Sequence, residues 1–122
     1  MARDFTKIRA WRLADELTLS VYKITRGFPG KEMFGLTSQL RRASYSVPAN
    51  IAEGANRTSK REFLQFLSVA PGSIAEVRYF LHLAGNLGYA NQEQLASIVL
   101  LADDTSKTLR GLIASIRKEM EQ

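Results

Sequence analysis

Residues 38–57 read SQLRRASYSVPANIAEGANR, and within them Gln39, Arg42, Ser46, Asn50, Glu53 and Arg57 recur three and four apart. On a helix this spacing gathers guanidinium, amide, hydroxyl and carboxylate groups into one polar stripe. It lies one residue, or about 100°, from the apolar positions Leu40, Ala43 and Ile51, at the edge of a core. Three uses fit such a set. It can be a solvated face with a Glu53–Arg57 pair worth ~0.3–0.5 kcal/mol. It can be a network between subunits that fixes register. It can be a phosphate-binding surface with Arg41, Arg42, Arg57, Lys60 and Arg61 as cations, joined by Lys7, Arg9 and Arg12. Spacing alone leaves all three open.

Catalytic chemistry finds less support. His82 is the only histidine, and the Glu-x-x-His pairs of di-iron bundles are missing. There is no G-x-x-x-x-G-K-[ST] phosphate loop and no G-x-S-x-G elbow. Ser44, Ser46 and Ser73 lack a base, and Glu53 stands beside Arg57. The expectation is a protein that is not an enzyme, with no metal and no cofactor. Trp11, Phe63, Phe66, Tyr79 and Phe80 could stack on bases. Phe63 belongs to an apolar seam, and oligomer contact suits the others better, so recognition by shape and charge is expected.

The 122 residues carry 17 Lys and Arg against 12 Asp and Glu, a net charge of +5. The excess sits in residues 1–63, with 12 cations against 6 anions, which favours a polyanionic partner for that half. With 45% hydrophobic residues and no apolar run near the roughly 20 residues that span a bilayer, a globular protein without membrane contact is expected. Absence of cysteine and of a secretory signal points to the cytoplasm.

Apolar periodicity predicts four helices, roughly 5–26, 32–56, 60–87 and 92–120. The first carries Ala14, Leu17, Val21 and Ile24, with Trp11 one step earlier, and ends at GFPG. The second carries Leu36, Leu40, Ala43, Val47 and Ile51 straight through Pro48. An interior proline removes a donor and presses on the carbonyl four residues back, that of Ser44, at about 3 kcal/mol in an isolated helix. A kink is expected there. SKRE, residues 59–62, has capping-box form, with Ser59 and Glu62 each satisfying a backbone donor of the other. It opens the third helix, whose seam is Phe63, Leu67, Ala70, Ile74, Val77, Leu81 and Ala84, with a second kink near Pro71. Asn91 and Gln94 open the fourth, with Leu95, Ile98, Ala102, Thr105, Leu109, Leu112 and Ile116 inward. Short connections make neighbours antiparallel, so the predicted fold is all-α, an antiparallel up-down four-helix bundle in one domain over 1–122. Strand and hairpin signals are lacking.

The string QLRRASYSVPANIAEGANRTSKREFLQFL, with FPGKEMFGL before it and APGSIAEVRYFLHLAGNLGY after it, resembles a family of small four-helix-bundle proteins. These are encoded within intervening sequences of 23S rRNA genes and are similar to the accessory variability determinants of diversity-generating retroelements. The resemblance runs nearly the length of the chain. It rests on Phe28, Pro29, Glu32, Gly35, Leu36, Gln39, Arg41, Arg42, Pro48, Asn50 to Gly54, Arg57, Gly72 and Ser73, with Pro71 a departure. It implies a homo-oligomer, a ring-shaped homopentamer, with a basic surface. In the retroelement branch it also implies binding to nucleic acid and to a reverse transcriptase.

With assembly implied, Gln39, Arg42, Asn50 and Glu53 are assigned to a network within or between subunits. Lys7, Arg9, Arg12, Arg57, Lys60 and Arg61 are assigned to nucleic acid, with Arg41 a further candidate. The resulting expectation is a non-enzymatic oligomeric bundle that binds nucleic acid, structured RNA foremost. The alternative is a protein-interaction scaffold or accessory subunit with no direct nucleic-acid contact.

Overall fold

In a computed structural model that describes residues 2–122, the apolar series fold into α1 (Arg9–Thr25), α2 (Leu36–Ala55), α3 (Lys60–Leu67), α4 (Ala70–Asn86) and α5 (Gln92–Met120). Single 3-10 turns stand at Phe5–Lys7 and Gly30–Glu32, and no strand occurs among the described residues. α1 packs on α2 and α5, and α4 packs on the same two helices from the other side. α3 precedes α4 along the groove between α2 and α5, so the five segments build the four rods of the bundle. No described helix is long and apolar enough to cross a membrane.

The predicted seams meet in the centre. Leu17, Leu40, Ile51, Leu67, Ile74, Leu81, Leu109 and Ile116 are fully buried, each contributing about 1.5–3 kcal/mol through removal from water. Leu112 and Trp11 lie half-buried at the margin.

The helix boundaries differ from the periodicity in three places, each for a local reason. Asp4 accepts hydrogen bonds from the Thr6 N–H (3.0 Å) and hydroxyl (2.6 Å) and caps the first 3-10 turn. Ile8 is then extended, so α1 starts at Arg9 rather than Phe5. A 3-10 turn followed by Gly35 delays α2 to Leu36 rather than residue 32. The expected third helix is interrupted at Ser68 and Val69, so Pro71 sits in the first turn of α4, where a missing N–H costs no helical bond.

Pro48 behaves differently: α2 is helical without interruption from Leu36 to Ala55. The Ser44 carbonyl that Pro48 leaves without its helical donor shares the Thr18 hydroxyl of α1 with the Ala14 carbonyl of α1 itself, each at 3.0 Å. A neighbouring helix supplies the missing donor. The capping signals are realised with one change. Asn91 accepts from the Gln94 N–H (2.8 Å) and Ser59 accepts from the Glu62 N–H (3.1 Å). The Glu62 carboxylate takes the Ser59 hydroxyl (3.2 Å) instead of the backbone N–H that a full capping box would give it.

Candidate nucleic-acid interface

Antiparallel packing brings the N-terminal segment, the turn between α2 and α3, and the last turn of α5 to one end of the bundle. The Arg3 N–H donates to the Ala55 carbonyl at 2.7 Å and stitches the first two together. Glu119 near the end of α5 joins them, because its Oε1 faces both Arg3 Nη2 (3.1 Å) and Lys60 Nζ (3.3 Å). The Arg3 guanidinium also lies 5.4 Å from the ring centre of Phe63.

Lys7, Arg9, Arg12, Arg57, Lys60 and Arg61 are all exposed at or near this end. Two of them are engaged. Arg57 pairs with Glu53 at 3.2 Å and stacks over Phe66 at 4.8 Å, and Lys60 shares Glu119. Lys7, Arg9, Arg12 and Arg61 form no ion pair among the described residues. Among the nearby acids Asp4 and Glu62 are occupied, while Asp15 and Glu16, which line one hollow with Arg9 and Arg12, make no ion pair among the described residues. Asp4 is held below the usual carboxylate range, first by the Thr6 hydroxyl and then by the Thr6 N–H, and Glu62 is used in the helix cap. Unpaired cations therefore outnumber available anions.

Arg41 does not belong to this cluster. It lies near the opposite end, where its Nε donates to Thr25 Oγ1 (2.8 Å) and its guanidinium covers the Tyr22 ring at 4.7 Å. Its donors serve the α1–α2 contact.

The polar stripe of α2 faces outward beside α4. Gln39, Arg42, Ser46, Ser73 and Glu76 line a shallow hollow. At its floor the Ser46 and Ser73 hydroxyls meet at 3.0 Å, and the Asn50 amide donates to the Ser46 carbonyl (2.8 Å). Gln39, Arg42, Asn50 and Glu53 do not bond to one another within the chain. Asn50 turns to Ser46, Glu53 to Arg57, and Gln39 and Arg42 remain exposed.

The aromatic candidates separate. Phe63 is buried, Phe66 lies under Arg57, Trp11 packs edge-on to Phe5 (4.9 Å), and Tyr79 is 57% exposed beside Phe80 (5.8 Å). His82 contacts Asn86 (3.2 Å) on an exposed surface. No group of three metal-ligating side chains occurs among the described residues.

Sequence reasoning missed two features. Arg117 and Lys118 add exposed cations in the last turn of α5, at the basic end, although their segment has no net positive charge. Phe34, in the turn before α2, is 96% exposed. Its signal was present: MF in FPGKEMFGL is an apolar pair outside every helical seam.

A sequence profile of the 23S rRNA-intervening sequence proteins matches residues 6–111. Among solved structures, the chain is similar to a protein of unknown function from the S23 ribosomal protein family of Bacteroides thetaiotaomicron VPI-5482. The two share 24% identity over 86% of this chain and 95% of that one, with a TM-score of 0.79, a likeness of fold. No curated protein shows a match.

Proposed function

The chain belongs to the 23S rRNA-intervening sequence protein family, and from that premise we propose a non-enzymatic, self-assembling bundle that binds nucleic acid, structured RNA in particular, through its basic end. The convergence of Lys7, Arg9, Arg12 and Arg61, without acid partners, on one end of the bundle carries this reading. Arg57 and Lys60 join them by exchanging exposed carboxylates for phosphates. Exposed ion pairs contribute at most about 1 kcal/mol, so the exchange costs little. The protein works in the cytoplasm, and a homopentameric ring would present the basic end five times, turning weak single-site attraction into avidity. Gln39, Arg42, Asn50 and Glu53 of the α2 stripe serve subunit contact rather than phosphate.

The test is fluorescence anisotropy of a labelled structured RNA and a matched duplex DNA across salt concentrations. Six cations per subunit predict a log-log slope of about −5 to −6 per engaged subunit on the duplex. Changing Arg57, Lys60 and Arg61 together to glutamine weakens binding and leaves helicity intact. Absence of binding at low salt, or a triple variant that binds like the parent, removes this reading in favour of the protein scaffold.

A further inference from the structure

We infer that the turn displaying Phe34 is an assembly plug, and that it docks in the hollow between α1 and α5 of a second copy of this chain. The inference rests on self-assembly as proposed above and names its contact. Single exposed apolar residues are ordinary, and what distinguishes Phe34 is how firmly it is held. On one side of it, the Glu32 carboxylate accepts from the Tyr89 hydroxyl (2.8 Å) and from the Leu36 N–H (3.2 Å). Behind it, Phe28 is buried and packs on Tyr89 with ring centres 5.6 Å apart. On the other side stands Gly35, where a Cβ would lie 2.8 Å from Glu32 Oε1. The turn is pre-ordered around an aromatic ring that touches almost nothing of its own chain. Ordering before contact is what a binding anchor requires, because less freedom is lost on docking.

The same chain carries a fitting receptor. A hollow of about 370 Å³ opens between the last turns of α1 and the first turns of α5, with Ser20, Ile24, Ser97 and Ile98 among its lining. Its size falls at the lower end of the roughly 300–1,000 Å³ of ligand pockets. Charge complements the fit. Lys31 is exposed beside Phe34, and the one acid of that turn, Glu32, is already engaged. Glu93, on the α5 rim of the hollow, is the one acid of its lining and makes no ion pair among the described residues, while Lys23 stands on the α1 rim. Plug and hollow lie at the same end of the bundle and are different surfaces, so the contact is head-to-tail, the kind that makes a ring when its rotation closes.

Sedimentation velocity of the purified full chain tests this. Phe34→Ala removes a ring that is already in solvent, so helicity stays as in the parent, as does melting at concentrations where both are monomeric, while self-association weakens at least about 30-fold. Ser97→Trp, which fills the hollow, has the same effect. Lys31→Glu and Glu93→Lys each weaken association, and the two together restore it. A parent that assembles while Phe34→Ala assembles equally well overturns the plug and leaves self-assembly standing. A parent that is a monomer overturns both, and Phe34 then belongs to a different protein partner. RNA anisotropy is read separately and decides nucleic-acid binding whichever mass is found.

Discussion

The two ends of the bundle reverse the chain by opposite chemistry. At the basic end, four residues join α2 to α3, and the surroundings are charges: a capped serine, Arg57 with Glu53, and Arg3 and Lys60 on Glu119. At the other end, ten residues join α1 to α2, held by the Phe28–Tyr89 contact, the Tyr89–Glu32 hydrogen bond and a glycine. The charged pairs are 36–58% exposed, so salt screens them and a polyanion can displace them. Ring packing and a single hydrogen bond respond far less to salt. One end is suited to exchange and the other to fixed geometry, which is why phosphate binding is assigned to the first and subunit docking to the second.

Glycine substitutions give the largest test of that contrast. At the basic end Gly54 lets α2 and α3 touch: a Cβ there would lie 2.8 Å from Phe63 Cδ1, 2.9 Å from Phe66 Cβ and 3.2 Å from the Phe63 carbonyl. Gly54→Val should lower stability by about 3 kcal/mol in urea denaturation, because the buried Phe63, the half-buried Phe66 and a backbone must move. At the opposite end, the close contact of a Cβ on Gly35 is with the Glu32 carboxylate, whose displacement loses hydrogen bonds to Tyr89 and Leu36 but moves no buried ring. Gly35→Ala should therefore lower the urea midpoint by less. Equal losses would show that the aromatic turn is as rigidly packed as the helix junction.

Titration sharpens the contrast next. Glu32 is held below its usual value of 4.5, mainly by the Tyr89 hydroxyl and then by the Leu36 N–H, and Tyr89 is pushed above 10.0 by Glu32. The carboxylate's contribution is full above pH 4.5 and is lost as pH falls through its depressed folded value. That of the tyrosine is full below pH 10.0 and is lost as pH rises through its raised one. Glu32→Gln should be less stable than the parent at neutral pH, with the gap in melting temperature closing at both extremes. A gap that stays unchanged however far pH falls below 4.5 would show that the hydrogen bond is not coupled to folding.

The smallest effect belongs to Glu119→Gln. Two cations share this carboxylate, but all three groups are over a third exposed, and the loss should be at most about 1 kcal/mol, vanishing in high salt. A larger, salt-independent loss would mean that the basic end is built on its charges rather than merely covered by them.

Much of the fold was legible in the sequence because apolar spacing is a direct imprint of the core. Every seam position from Leu36 to Ile51 and from Phe63 to Ala84 is buried, and both capping serine and capping asparagine accept the bonds expected of them. Boundaries were less legible, since the late start of α1 depends on Asp4 and the interruption at Ser68 and Val69 on how α3 meets α4. At the candidate site, the basic end followed from charge counting, but Arg41 could not be separated from its neighbours. Its partners, Thr25 and Tyr22, come from another helix. Phe34 could be read only as an apolar residue outside the seams, and its exposure could not: burial is inferred from periodicity, and a turn has none.

The Thr18 hydroxyl that answers the carbonyl freed by Pro48 ties together two positions 30 apart in the chain. Neither residue can change at equal cost in any background. With proline in place, loss of the hydroxyl strands a carbonyl, whereas once position 48 regains an N–H the hydroxyl becomes dispensable. A lineage can thus shed the proline first and the threonine afterwards, but the reverse path runs through a weakened intermediate. The pair works as a ratchet on sequence drift, so alpha-helical neighbours constrain which histories this bundle can have had.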